Sequence, residues 1–408
     1  MSYSAVAARL DSCREAMIDL QCRLAAIPAI APSSGGEGEA RKAEILIEFL
    51  KGIGVSAIEL VKAPDPDAPA GYRPNILARL PGRRSDRTVW IMSHMDVVPE
   101  GDPALWKGDP FRPWVEDGKI YGRGVEDNQQ DMVASLFAVK AILDEGLRPA
   151  CDIGLALVAD EETGSDKGIG YVLANSRAFR PGDLIIVPDA GVEDGSMIEV
   201  AEKSILWLKF RTEGRSPHGS TPEKGVNAFR AASALVVRLR ELYERFPQSD
   251  PLFDPPISTF EPTKKERNVP NVNTIPGDDV FYMDCRILPS IPLAAVDAAV
   301  AGLAAETSAE YGVRIEVSDV QRAPAAPPTP ADAPVALALA AAVKAGYGVE
   351  ARPMGIGGGT VAALFRRAGY PAACWAKLDE TLHGPNEYCR IDNLVGDAKV
   401  FAHVMLQE

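Results

Sequence analysis

The sequence is short of histidine, of paired cysteines, of positive charge and of long apolar runs, and each shortage removes a class of function. Its six cysteines (Cys13, Cys22, Cys151, Cys285, Cys374 and Cys389) include no close-spaced pair. A zinc knuckle and a CxxC redox motif are thereby excluded, and the thiols read as reduced and mostly buried. Lys and Arg number 43 against 57 Asp and Glu, a net charge of −14, which is the wrong sign for a surface that must hold nucleic-acid phosphates. No apolar stretch approaches the length of a membrane span. Arg9, Asp11, Arg14 and Glu15 stand where a secretion signal needs an unbroken apolar run, so the expected location is cytoplasmic.

What is present is ordinary globular material in quantity. At 408 residues, 46% hydrophobic and 25% charged, the chain exceeds what one core usually organises, which predicts two domains or one domain with a large insertion. Apolar residues recur at helical spacing from Val6 through Leu10, Met17, Leu20 and Leu24, predicting an opening amphipathic helix. Strand-like runs at 88–93, 152–159 and 183–187, with a helix at 131–145 that ends at Gly146, predict an α/β fold with a mostly parallel, helix-covered sheet.

The pattern changes after about residue 200. Strands in ILWLKFRTEG and VFYMDCRIL, with helices at 225–246 and 292–311, suit a small α+β module. The stiff, proline-rich RAPAAPPTPADAP at 322–334 marks a return to the first domain. A helix from about 335 and the strand AACW then complete the sheet, while APDPDAPAGYRP at 63–74 reads as a surface loop. The expected division is 1–200 plus 323–408 for the main domain and 201–322 for an insert.

Only four histidines occur, and His94, His218 and His383 all sit in loops among turn residues and carboxylates. His94 follows the strand VWIMS with Asp96 two residues on, the spacing of a metal ligand whose imidazole a carboxylate orients. Asp127 ends the glycine-flanked GRGVED. Asp160, Glu161 and Glu162 crowd the end of an apolar strand, an arrangement that repels itself unless a cation is near. One of the two adjacent glutamates can then bind metal while the other acts on water as general base. Asp189 follows DLIIV and His383 follows AACW, so each candidate comes after a strand, where an open α/β sheet gathers its binding residues.

Taking Glu162 from the pair, the donors are His94, Asp127, Glu162, Asp189 and His383. Two divalent ions set against three carboxylates and one hydroxide sum to neutrality, which suits a partly buried cleft. Mixed nitrogen and oxygen ligation favours two Zn²⁺, with Co²⁺ or Mn²⁺ as substitutes. His403 fits none of these patterns and reads as surface on the last helix.

With these motifs assembled, most of the chain resembles the zinc-dependent family of acetylornithine deacetylase, succinyl-diaminopimelate desuccinylase, aminoacylase and glutamate carboxypeptidase. The resemblance implies a zinc-peptidase-like catalytic domain with an inserted lid and dimerisation domain. By it Asp127 bridges the two metals, Glu161 is the general base and acid, Glu162 and His383 hold one metal, and His94 and Asp189 hold the other. His218 in SPHGSTPEKGVNA is similar to a lid histidine that stabilises the oxyanion, and acts from the neighbouring subunit of a homodimer joined through the lid domains.

Asn273 in NVNTIP and Arg286 in DCR look like substrate contacts. Gly357, Gly358, Gly359 and Thr360, ahead of a helix, offer backbone amides as a second carboxylate cradle. The implied reaction is hydrolysis of an amide or peptide bond in an N-acyl amino acid or small peptide with a free carboxylate. Deacylase and dipeptidase or carboxypeptidase chemistry need the same metals and the same grip, and a metal-binding pseudoenzyme or partner-binding scaffold leaves Glu161 unexplained. Two departures stand out: Asn128, Gln129 and Gln130 replace the family's lysine-containing run, and Val361 follows the glycine loop where an aspartate is usual.

Overall fold

A computed structural model describes residues 3–407, and the chain divides into two compact units. The first comprises Met1–Val200, Pro328–Met354 and Thr360–Glu408; the second comprises Ala201–Pro327 and Gly355–Gly359.

Along the chain the first unit begins with α1 (Tyr3–Ser12), α2 (Arg14–Ala25) and α3 (Ala40–Gly52). The single opening helix expected from periodicity is thus two helices that meet at Cys13. Strands β1 (Ala57–Pro64), β2 (Tyr72–Leu80) and β3 (Arg84–His94) follow, then the short β4 (Trp114–Glu116) and β5 (Lys119–Tyr121). The proline-rich loop read at 63–74 is therefore shorter, because strands occupy both of its ends. Next come α4 (Gln130–Asp144), β6 (Cys151–Val158), α5 (Ile169–Asn175), β7 (Leu184–Gly191) and β8 (Met197–Glu202).

The second unit contributes β9 (Ser204–Glu213), α6 (Ala228–Arg238), α7 (Glu241–Arg245), β10 (Thr259–Lys265), β11 (Asp278–Ile287), α8 (Leu293–Tyr311) and β12 (Arg314–Ala323). The chain closes with α9 (Pro334–Tyr347), β13 (Arg352–Ile356), α10 (Ala362–Arg367), β14 (Ala372–Ala376), β15 (Tyr388–Arg390) and α11 (Ile391–Leu406).

The large sheet runs β1-β2-β6-β3-β7-β14-β8-β13. Its centre is parallel, β6 with β3, β3 with β7 and β7 with β14, and antiparallel pairs flank that centre. All eight residues of β6 are buried, as befits a strand covered on both faces. Gly154 on β6 is a matter of packing, since a Cβ there would lie 2.2 Å from the Trp90 ring. Helix α4 is buried almost all round through Met132, Val133, Leu136, Phe137, Val139 and Ile142, the signature of an interior helix. Asp127, just ahead of it, is therefore anchored to an element with little freedom to move.

In the second unit four antiparallel strands, ordered β10-β11-β9-β12, carry α6 and α8 on one face over a core that includes Leu206, Leu208, Phe210, Phe281, Met283 and Val300. Sequence patterning located β9 and β11 but not β10 or β12. Those two are edge strands whose residues are mostly exposed, so burial imposes no alternation on them. His403 on α11 is half-buried rather than surface, edge-on to the Tyr3 ring at 4.7 Å. No helix among the described residues is long and apolar enough to cross a membrane.

Candidate metal centre

Four of the segments that deliver the donors lie at the carboxyl ends of the parallel strands, and the fifth leads into α4. His94 is the last residue of β3, Asp189 lies near the end of β7, Glu161 and Glu162 follow β6, His383 lies in the loop after β14, and Asp127 sits in the irregular turn before α4. Their ligand atoms fall into three groups, each within 4.8 Å: His94 with Asp127 and Asp189; Asp127 with Glu162 and His383; His94 with Glu161 and Glu162.

Asp127 belongs to the first two groups through opposite oxygens. Its Oδ1 lies 2.8 Å from His94 Nε2 and its Oδ2 lies 3.0 Å from His383 Nε2. His94 Nε2 is also 3.4 Å from Asp189 Oδ1, and His383 Nε2 is 3.2 Å from Glu162 Oε2. Asp96, fully buried, has its backbone oxygen 3.1 Å from His94 Nδ1, while its carboxylate accepts the backbone N–H groups of Glu161 at 3.1 Å and Glu162 at 3.0 Å. One aspartate thus fixes both the imidazole and the paired-glutamate turn.

The electrostatics show what this donor set wants. Burial raises the Glu161 carboxyl well above the usual glutamate range, and neighbouring Asp189, Asp127 and Glu162 add to the effect. Burial likewise raises Glu162 and Asp189. Hydrogen bonds to Asp127 and Glu162 lift His383 to about 10; His94 is raised well above its ordinary value because contacts with Asp127, Asp189 and Asp96 outweigh the opposing effect of burial. Carboxylates crowded in a desolvated site need positive charge, and without a metal the imidazoles supply it. Divalent metal fits this donor set.

The paired-glutamate turn is built by a buried ion cluster that the sequence reading missed. Asp160 adopts φ +65°, which an aspartate tolerates when its side chain bonds locally. Its carboxylate accepts from Arg73 at 3.1 Å and from the Lys167 backbone N–H at 2.8 Å. Arg73 is held in turn by Glu39 at 2.7 Å. Lys42, with no exposure, donates to the Met95 carbonyl at 2.8 Å, and burial lowers its pKa to about 8. Asn128 and Gln129 are buried where the family has its lysine-containing run. Asn128 donates to the Pro188 carbonyl at 2.5 Å, beside Asp189.

The second unit holds most of the other sequence candidates. His218 is exposed, and its Nδ1 accepts the Ser220 backbone N–H at 3.2 Å, so in the neutral ring the proton sits on Nε2 and that nitrogen is the donor. Asn273 pairs through its backbone oxygen with Gly219 N–H at 2.6 Å. Arg286 is engaged bidentately by Asp284 at 2.7 and 2.9 Å and donates to the Gly357 carbonyl at 3.0 Å. A Cβ at Gly357 or Gly358 would meet nothing within 4 Å and at Gly359 only the Ile205 side chain at 3.9 Å, so internal packing does not explain these glycines. Thr360, in the first unit, accepts the Ala362 N–H through its hydroxyl at 3.2 Å, ahead of an α10 that is only 6 residues long.

A parallel-centred α/β sheet bearing this donor set at its carboxyl edge defines a metal-dependent hydrolase. The chain belongs to peptidase family M20/M25/M40, whose profile matches residues 90–407. It is 38% identical to an uncharacterized metallohydrolase of Methanococcus maripaludis, over 97% of this chain and 100% of that one. Similarity to the succinyl-diaminopimelate desuccinylase of Cereibacter sphaeroides is 25% identity over 91% of this chain and 93% of the relative. The structure of human carnosine dipeptidase 1 superposes with a TM-score of 0.75 at 19% identity, covering 100% of this chain and 98% of that one. This chain is accordingly a metallohydrolase acting on amide or peptide bonds of small molecules.

Proposed function

We propose that the protein is a two-zinc deacylase that hydrolyses the amide bond of an N-acyl amino acid, or of a small acylated peptide, bearing a free carboxylate. The observation that carries this reading is the Asp127 carboxylate, whose two oxygens face two different imidazoles, as a carboxylate bridging two cations must. His94 and Asp189 would hold one ion, Glu162 and His383 the other. Bound divalent metal would supply Lewis-acid polarisation of the scissile carbonyl and a water of lowered pKa. The likeness to a succinyl-diaminopimelate desuccinylase supports deacylation, since a desuccinylase removes an acyl group.

Glu161 takes the proton from the attacking water and returns it to the leaving nitrogen. Asp96 holds the Glu161 backbone so that this carboxylate stays beside His94 and Glu162. His218, supplied by a second copy of the chain, donates from Nε2 to the oxygen that gains charge. The unengaged N–H groups of Arg286, with Asn273, Thr360 and the open glycine backbone, take the substrate carboxylate.

The homodimer belongs to the same proposal. On the second unit, β10 is an open edge beside exposed Phe229 and Val237, with Val236 and Pro262 lining the same concavity, a face suited to a second copy. Sedimentation or size exclusion reads the assembly directly. Activity is tested by loading the protein with Zn²⁺ and assaying acyl amino acids against dipeptides. Release of acyl groups supports the deacylase assignment, whereas cleavage of dipeptides alone replaces it.

A further inference from the structure

Glu126 and Glu387 lie inside the GRGVED and HGPNEY motifs, yet neither has a part in the chemistry above. Both are buried, at 1% exposure each. Each reaches out of its own loop into the other. The Glu126 carboxylate accepts the backbone N–H groups of Asp379 at 2.6 Å and Thr381 at 2.5 Å, and the Thr381 hydroxyl at 2.7 Å. In the opposite direction the Glu387 carboxylate accepts the backbone N–H groups of Gly124 at 3.0 Å, Glu126 at 3.0 Å and Asp127 at 3.2 Å. Arg123 closes the exchange, donating to Glu387 at 2.7 Å and to the His383 carbonyl at 3.2 Å.

The loop so held is one that would not keep its shape alone. Glu380, His383 and Asn386 all have positive φ, at 59°, 60° and 60°. Non-glycine residues in that region are strained and persist only where surrounding contacts enforce them. The loop's one donor, His383, is half-exposed, so packing of its ring cannot enforce them. The backbone bonds to Glu126 and Arg123 can.

We propose that Glu126 and Glu387, with Arg123, are positioning residues that set the spacing between Asp127 and His383 and thereby tune metal affinity at the Asp127–Glu162–His383 donor group. The proposal rests on the metal-hydrolase reading above. The Glu126 carboxylate accepts only from the loop that carries His383, so replacing it by an amide acts on that group first. Glu387 also holds the Asp127 backbone, so its removal acts on both groups. Partners of this kind, lying behind the ligands, are worth ten- to hundredfold in metal affinity.

The test is a titration of the full-length, chelator-stripped protein with Co²⁺ alone, followed by visible absorption and calorimetry. In Glu126→Gln one Co²⁺ binds within about twofold of wild type and the other weakens by about tenfold or more. In the His383→Ala background, which keeps one Co²⁺, adding Glu126→Gln leaves that remaining Co²⁺ within about twofold, because Glu126 acts through the position that His383→Ala has lost. Thr381→Val, a milder change that removes one donor to Glu126, shifts the same Co²⁺ in the same direction and carries the test if Glu126→Gln fails to fold. Equal weakening of both ions, no change in either, or weakening of the Co²⁺ that remains in His383→Ala overturns the proposal. Wild-type uptake of a single Co²⁺ would sink the two-metal reading instead. A Glu126→Gln variant that held that single Co²⁺ as tightly as wild type would then still overturn the positioning role.

Discussion

His383 presents Nε2 to Oδ2 of Asp127 at 3.0 Å, the imidazole side chain 49% exposed and the carboxylate 16% exposed. The donor group that shares these two side chains is therefore the more accessible to solvent. The group that includes His94, which is 1% exposed, is the more enclosed.

His383→Ala is expected to leave close to one divalent metal per chain after dialysis, and His94→Ala likewise to lose mainly one. Elemental analysis of the dialysed variants reads this directly. In wild type, the ion lost first to a chelator should be the one that His383→Ala fails to bind. Loss of both ions from His383→Ala would mean that the two positions are not independent.

Glu161→Gln should retain its metals and lose at least about a hundredfold in kcat, the low end of what general acid–base catalysis contributes. Glu162→Gln should instead release metal from the position it shares with His383. An exchange of these two outcomes would reverse the assignment within the pair.

Arg286→Ala should raise KM strongly for substrates with a free carboxylate and little for their amidated analogues, because a charge-assisted contact is lost. The variant also leaves Asp284 and the Gly357 carbonyl without this partner. Equal damage to both substrates would show that Arg286 serves the glycine loop rather than the substrate.

Stability should fall as pH rises above about 4 through a buried pair of carboxyls, Asp131 and Asp397. Asp131 has no exposure, and no donor reaches its carboxylate oxygens. It faces Asp397, which accepts from Gln130 at 2.8 Å and Tyr347 at 2.7 Å. Burial, then Asp397, then Glu126 and Asp189 raise Asp131 well above the usual range, and burial pushes Asp397 up to about 7. Two such carboxylates can bond only if one keeps its proton. The folded chain therefore holds a proton that the unfolded chain gives up near the usual aspartate value, and the stabilisation is progressively lost as pH climbs above that value. Asp131→Asn, with a permanent N–H donor, should flatten this fall. Urea midpoints of the metal-stripped proteins at pH 5 and 8 compare the two, and equal losses would refute the shared proton.

Most donors were legible because each is a chemically distinctive side chain at or just past the end of a strand that announces itself by an apolar run: His94 closing β3, Glu161 and Glu162 after β6, Asp189 near the end of β7 and His383 after β14; Asp127, in the turn before α4, was legible through the GRGVED motif. Glu39, Arg73, Glu126 and Glu387 were not legible, although two of them lie within motifs that were read. Their roles reside in partners far along the chain; Glu387 and Gly124 are 263 residues apart. Nothing local to a buried glutamate tells which distant backbone N–H it will meet. Strands β10 and β12 escaped for a different reason, their solvated faces leaving the pattern polar.

By itself the sequence determined the alternation that makes an α/β sheet, the family, and the inventory of imidazoles and carboxylates, because these follow from residue chemistry and short-range periodicity. Only the tertiary structure decided that the two oxygens of Asp127 face different histidines, that Arg286 is already paired with Asp284, and that Glu126 and Glu387 cross between loops. Such pairings depend on distances of a few ångströms between segments that only the packing of strands and helices brings together, and hydrogen bonds and ion pairs weaken steeply beyond that range.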